Sequence, residues 1–505
     1  MTSRMIPLTQ FFCLHKLMQF LQKVYDFYAW FFSHRGVQDS LRDVESPQHE
    51  CPPTSVPPQS APYPLTWNEI ESKIREYIAL IDEKGVVSLA SQYNGNKYCD
   101  IFRRENGDFN ICYFVHFPGD DIRWVVRIPI VPVIQDCQLK IESEVVTMLY
   151  VRKRTSIPIP QVHAYGESTV LIKGSTTPFM IIDCIPGRPL DRNIYLNATE
   201  EQRRRLFQDL VKIMSELRRL EFPAAGSLLA KAGDVCSPIV GSALSISANE
   251  LQRYGKGYGD AGPFSTATQY IAYRYRVLSE TYQLPTADAS LDSIMSELFA
   301  SDSVSEQITK LLDPHWDHGP FVLAHQVLRH DNIIIDEDDF RIRGVEDWEF
   351  TGTVPRQLFT PPPWITGHDC AGIDENKQEL LRSHFYLQLE AASRTHIHSA
   401  RLKEDWDTQR DDTLAVAQIL RRPSTLKHVY YKFIFSTLFD ADAKQVISEA
   451  RQRESFSIEA GNRLEESKRY TKYLSDRGLL DEQDPRITAF LEQAAALRKR
   501  VDALR

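Results

Sequence analysis

The sequence predicts an α+β protein of two lobes: a small lobe on an antiparallel sheet, then a mainly helical lobe with a helical C-terminal extension. Three observations carry this. Apolar residues recur at every second position through FNICYFVHF and IRWVVRIPI, with a turn at Pro118-Gly119-Asp120-Asp121 between them, the pattern of a β-hairpin. Past Pro189 the recurrence shifts to three and four residues, as on an amphipathic helix. Between helical stretches, Phe321 to Pro355 holds three short apolar runs (321–323, 333–335 and 342–345) around a polar turn, reading as short strands that bring a loop and a carboxylate together.

In chain order, residues 1–36 contain an amphipathic helix. Phe11, Phe12, Leu14, Leu17, Met18, Leu21, Val24, Tyr25, Tyr28 and Phe31 form a stripe broken by His15, Lys16, Gln19, Gln22, Lys23 and Asp26. It lacks an uninterrupted apolar run of about 18 residues and a small-residue cleavage site, which argues against a spanning helix and a signal peptide. Two readings stay open for residues 1–33: packing on the protein's own body, or docking to a membrane surface or protein partner. Residues 37–64 (SPQHECPPTSVPPQSAPYP within them) read as a Pro-rich linker.

The small lobe is expected over 65–185. Thr66 with Glu69 is a capping-box pair, Ile70, Ile74, Tyr77, Ile78 and Ile81 line one helix face, and Gly85 is expected to end that helix. Asn106 to Asn110 precedes the hairpin as a single-glycine turn. A helix carrying Leu139, Val145, Val146 and Leu149 follows the second strand, then a strand at 169–173 and the apolar run PFMIIDCIPGRPL. The helical lobe is expected over 186–440 and the extension over 441–505. Thr199 with Gln202 caps a helix with the stripe Leu206, Leu210, Ile213, Met214, Leu217 and Leu220. Gly255, Gly257 and Gly259 follow no strand and read as a loop. Helices are expected over 376–393, 426–450, 458–476 and 485–505.

The net charge of -9 and the 42% hydrophobic content point away from nucleic acid and from wholesale disorder, and toward small molecules or proteins as partners. Eight cysteines (13, 51, 99, 112, 137, 184, 236 and 370) stand singly with no C-x-x-C pair, which predicts reduced thiols and a cytoplasmic protein, peripheral to a membrane if the first helix docks there.

The order of WVVRIPI, KIESEVVTMLYVRKRTSIPIPQVHAYG, PFMIIDCIPGRPL, HQVLRHDN and EDWEFTGTVP resembles the aminoglycoside-phosphotransferase family, especially its large fungal branch, over roughly residues 85–365. The resemblance implies a two-lobed protein-kinase-like fold that binds ATP and Mg2+ and transfers phosphate to a hydroxyl of a small metabolite. It implies that Arg127, in place of the kinase lysine, contacts phosphates with Glu144 as its helix partner. The turn at Asn110 would cover the phosphates, the backbone from Asp183 to Ile185 would form the hinge that meets adenine, and Asn332 and Asp347 would hold the metal.

The pattern H-x-D-x-x-x-x-N aligns with His325, Val327 and Asn332, so valine stands where the family places its catalytic aspartate. Valine has no acceptor to orient a hydroxyl, and general-base assistance is worth about 10² to 10⁴ in rate. His325 reads as a loop-structural residue. Asp331 is the candidate substitute acid, with Glu346 second, although strand alternation would face Glu346 away from Asp347. Three outcomes are open: a nucleotide-binding protein impaired in transfer, an active O-phosphotransferase, or a non-catalytic scaffold docked through residues 1–33.

Overall fold

The computed structural model describes residues 63, 65–231, 234–253 and 261–480. The first helix, nearly all of the linker, the 255–259 glycines and the 485–505 segment lie outside the described residues.

The chain folds as two lobes. In the N-terminal lobe α1 (Trp67–Ala79) starts on the Thr66/Glu69 capping box, in which each residue satisfies a backbone amide of the other. Gly85 does not end it. Asp82 caps a second helix, α2 (Glu83–Tyr93), and Gly85 lies buried in its first turn. A Cβ there would sit 2.0 Å from the Val170 carbonyl oxygen, so glycine is used for close approach to a strand. The sheet has the order β1-β2-β3-β5-β4, formed by β1 (Asp100–Asn106), β2 (Asn110–Phe117), β3 (Ile122–Pro129), β4 (Val162–Ile172) and β5 (Ser175–Asp183). The hairpin pairs Asn110 with Pro129 through Phe117 with Ile122. Period-two alternation sends Ile111, Tyr113, Val115 and Phe117 into a core with α2. The other face of β2, with Asn110, Cys112 and Phe114, looks toward the second lobe. Helix α3 (Cys137–Arg154) packs beside the sheet, capped by Asp136.

After the hinge, β6 (Arg188–Pro189) pairs with β11 (Ile333–Ile335), which pairs with β12 (Ile342–Val345). This links the hinge directly to the strand leaving the polar loop. Gly187, at φ 131°, makes the turn, and a Cβ there would lie 2.5 Å from the Ile335 carbonyl oxygen. Helix α4 (Glu200–Arg218) begins on the expected Thr199/Gln202 box.

The second lobe also contains a sheet of which the sequence revealed one strand, the apolar run 321–323. Its order is β7-β10-β13-β8-β9, from β7 (Glu221–Phe222), β8 (Gly226–Lys231), β9 (Asp234–Gly241), β10 (Phe321–Ala324) and β13 (Gly352–Pro355). The β8–β9 hairpin and α5 (Ile246–Arg253) brace α3 from below. The Ala230 amide donates to Glu142 at 3.1 Å, and Asn249 receives the Gln135 amide while donating to the Val133 carbonyl, both at 2.9 Å. Helices α6 (Ala267–Tyr282), α7 (Leu291–Gln307), α8 (Glu375–Ser393), α9 (Ile397–Asp407) and α10 (Asp411–Arg421) build the body.

The helix expected over 426–450 is broken into short helical turns with a π-helical segment at Tyr430–Ile434, followed by a separate helix at Ala443–Ala450. Helix α11 (Glu454–Asp476) closes the described chain, with Tyr63 between the rings of Tyr470 and Tyr473.

Candidate active site

The polar loop runs from β10 into β11, and its geometry comes from backbone contacts. His325, buried against Trp348, places Nε2 3.0 Å from the Glu346 carbonyl oxygen and donates to it. Burial pushes its imidazole down to about 4, so the ring is neutral. The ring thus ties the loop to the segment carrying Asp347. Asn332 donates Nδ2 to the Val327 carbonyl at 2.9 Å and stands 3.4 Å from Asp347 Oδ2. The loop therefore keeps its shape around a valine, because the bond uses the backbone of position 327 and not its side chain.

Asp347 follows β12 with φ 62°, the left-handed region that few non-glycine residues adopt. The strand ends at Val345, so the alternation argument for Glu346 does not apply: its amide donates to the Asn332 carbonyl at 2.9 Å, outside the strand. Burial raises the Glu346 carboxyl, and Arg127 and Arg103 from the upper lobe oppose that rise. It faces the N-terminal lobe.

Arg127 and Glu144 meet at 2.5 Å, both buried. Around them stand two residues that sequence reasoning passed over. Lys140, one turn before Glu144, is 2% exposed; its ammonium lies 3.7 Å from Glu144 and pairs closely with Glu349. Glu349 lies 3.6 Å from Arg127, and Asp347 lies 3.5 Å from Arg127. Three carboxyl groups thus face two cations. Burial works against the Glu349 carboxylate, but Lys140 and Arg127 together outweigh it and hold its carboxyl below the usual range. Burial and the neighbouring Glu349 push Asp347 well above it. Asp347 is the carboxyl left over, and it keeps 31% of its side-chain surface open to the cleft.

Asn110 does not belong to the cover. It is 6% exposed and donates Nδ2 to Glu349 Oε2 at 2.9 Å, so it supports the cluster's floor. The turn above the cleft is 107–109, and Phe109 packs edge-on against Phe350 with 5.1 Å between centroids. The Asp183 side chain is held by His163 at 2.6 Å and by the Gln161 amide at 3.0 Å. Any contact with a base from Asp183 falls to its backbone. Ile185 packs its side chain on Gly344 of β12, and among the described residues its amide and carbonyl take no backbone partner.

Asp331 lies in a 3-10 turn, not an extended loop, and Arg329 grips it from two nitrogens at 3.0 and 2.5 Å. As a substitute acid it is therefore already engaged at the surface. The structure brings together Arg127, Glu144, Asn332 and Asp347, and adds Lys140 and Glu349. A lysine and glutamate at i, i+4 was a readable signal for Lys140. The Asn110–Glu349 contact, spanning 239 residues, left none.

Residues 112–357 match the phosphotransferase enzyme family, APH. The match covers a little under half of the chain. A curated relative, "Clavilactone A biosynthesis cluster protein Y" of Ampulloclitocybe clavipes, is 26% identical over 239 residues, covering 46% of this chain and 54% of the relative. The chain thus spans about half the length of that relative.

Among solved structures, a GDP and kanamycin complex of APH(2'')-IIIa aligns at 15% identity and TM-score 0.39, covering 77% of this chain and 99% of that one. A Plasmodium vivax ethanolamine kinase aligns at 12% identity and TM-score 0.39, covering 80% and 95%. Residue roles rest on this chain's own geometry.

Asn332 and Asp347 fit a hard divalent cation. With Asn332 Nδ2 committed to Val327, its Oδ1 is the free atom, and Asp347 supplies a carboxylate. Magnesium is commonly held by one or two carboxylates plus substrate phosphates, not by an all-protein cage. No cluster of three or more His, Cys, Asp or Glu suited to a metal occurs among the described residues.

Proposed function

We propose that this chain binds ATP with Mg2+ in the cleft between its lobes, and that phosphoryl transfer to a small-molecule hydroxyl is impaired or lost at Val327. Bound magnesium neutralises phosphate charge. Arg127, oriented by Glu144 and flanked by Lys140, supplies the fixed cation; Asn332 and Asp347 supply metal ligands; the hinge backbone at Ile185 is free to meet a base. The observation that carries the reading is the pair at the loop: Asn332 bonds the Val327 carbonyl, which preserves loop shape, while the valine side chain offers no acceptor for a hydroxyl proton.

The competing reading, an active O-phosphotransferase, needs another acid. Asp331 is neutralised by Arg329 and Glu346 faces the upper lobe. The acceptor is proposed as a small hydroxylated metabolite. A cytoplasmic setting, with residues 1–33 as a membrane-surface or protein docking segment, belongs to the same proposal. No described helix is long and apolar enough to cross a membrane.

The test measures binding and turnover together. ATP with Mg2+ should raise the melting temperature of the parent chain and not of Asp347→Ala. Transfer to a panel of hydroxylated metabolites should emerge in Val327→Asp at about 10² to 10⁴ times the parent rate. Rapid transfer by the parent would sink the impairment, and no nucleotide-dependent shift would sink the binding. Deleting residues 1–33 should change the protein's cellular distribution; an unchanged one removes the docking role.

A further inference from the structure

We propose that the cavity behind the 325–332 loop is a carboxylate-binding site centred on Arg421. It is lined by Met214, Gln326, Leu328, Leu358, Thr360 and Arg421, among others. The wall mixes apolar side chains with the polar groups of His325, Gln326, Thr360 and Arg421. The Arg421 guanidinium donates Nη2 to Thr360 Oγ1 at 2.6 Å and to the Leu358 carbonyl at 3.3 Å. Among the described residues no carboxylate lies within ion-pair distance of it.

Three other arginines each have a carboxylate. Arg127 has Glu144, Arg218 has Asp405 and Glu221, and Arg356 has Asp405. Beside Arg421 the chain places a second cation instead. Arg274, 3% exposed, spends its Nε and Nη2 on the carbonyls of Leu420 and Arg421 at 2.7 to 3.0 Å. Burial, and then Arg274, bring the Arg421 guanidinium down to about 10. Arg421 is half-buried and has no counter-charge among the described residues, and the cavity at its face is where an anion would supply one.

The space selects the anion. A water-sized sphere can move its centre through about 30 Å³ of the cavity, and one water needs about 10 to 15 Å³ by that measure. This is room for about two oxygens. A carboxylate matches two oxygens to a planar guanidinium fork. A nucleotide does not fit. Because His325, Gln326 and Leu328 all line the cavity, a bound carboxylate would sit directly behind position 327.

The experiment compares melting temperatures of the full chain in sodium acetate and in sodium chloride at equal ionic strength, without nucleotide. Acetate should raise the parent by about 2 °C, saturating with concentration. Arg421→Lys, which keeps the charge and loses the fork, should show no acetate effect. If that variant does not fold, Gln326→Glu supplies a carboxylate from the cavity wall and should abolish the acetate effect while raising basal stability.

Equal melting in acetate and chloride for the parent, or an acetate shift retained in Arg421→Lys or, where that variant does not fold, in Gln326→Glu, overturns the site. Lactate separates the sources. A carboxylate belonging to an acceptor binds more tightly once an ATP analogue and Mg2+ are added, whereas a free carboxylate is indifferent to them. Either outcome supports the site. The acetate arm contains no nucleotide, so it fails independently of the ATP-binding proposal.

Discussion

The two sides of the cleft are built on opposite terms. On the proposed nucleotide side, Arg127, Lys140, Glu144 and Glu349 are buried and each faces an opposite charge within 4 Å. On the proposed acceptor side, position 327 is a valine, Asp331 and Arg329 satisfy each other at the surface, and Arg422 stands exposed without an ion-pair partner among the described residues. Burial makes the difference. Removing one member of a buried cluster strands the rest, whereas an open loop exchanges a side chain at little cost in stability. The nucleotide side is therefore constrained by folding as well as by chemistry, and the acceptor side by chemistry alone.

The sharpest way to break this comparison is Lys140→Met. It keeps the stem's packing and leaves Glu349 and Glu144 facing Arg127 alone, so it should cost about 3 to 5 kcal/mol in urea unfolding. It should also weaken nucleotide binding. A loss under about 1 kcal/mol would mean that the cluster is not a folding constraint.

The next effect is a pH dependence. His325 and His368 both sit near 4 in the folded chain, lowered by burial from an ordinary 6.5. The unfolded chain then binds more protons between pH 6.5 and 4, so stability is highest above that window and falls as pH drops through it. Each imidazole accounts for up to about 3 kcal/mol of the fall. His368→Gln should flatten the slope of unfolding free energy between pH 6.5 and 4.5, and His325→Gln should do so too while loosening the loop from Glu346. An unchanged slope in both would mean that the carboxylates carry the whole acid transition.

These effects also show where sequence reading succeeded. The capping boxes at Thr66 and Thr199, the hairpin register and the Arg127–Glu144 pair follow from local spacing or from motif order, and the structure displays each of them. Much of what could not be read depends on distance along the chain. The sheet of the second lobe joins strands of two to eight residues separated by long helical stretches, too short for a periodic signal. Asn110 was assigned to a phosphate cover because it lies in a turn beside one glycine, but Glu349 draws its side chain down into the floor. Gly85 was expected to stop a helix because glycine commonly does, whereas here it makes room for a strand carbonyl. Asp331 was read as available because the sequence does not show that Arg329, two residues earlier, holds it.

The smallest effect expected is also the one that separates the two readings of activity. The Arg329–Asp331 pair has side chains 50% and 40% exposed, and exposed pairs contribute between nothing and about 1 kcal/mol. Arg329→Gln should thus change stability by less than about 1 kcal/mol, in contrast to Lys140→Met. It also frees the Asp331 carboxylate four positions from the vacant site. If Val327 is the defect, transfer in Arg329→Gln stays at the parent level while Val327→Asp gains. If Arg329→Gln gains transfer instead, Asp331 is an acid held in reserve by its neighbour, and the acceptor side is restrained, not vacant.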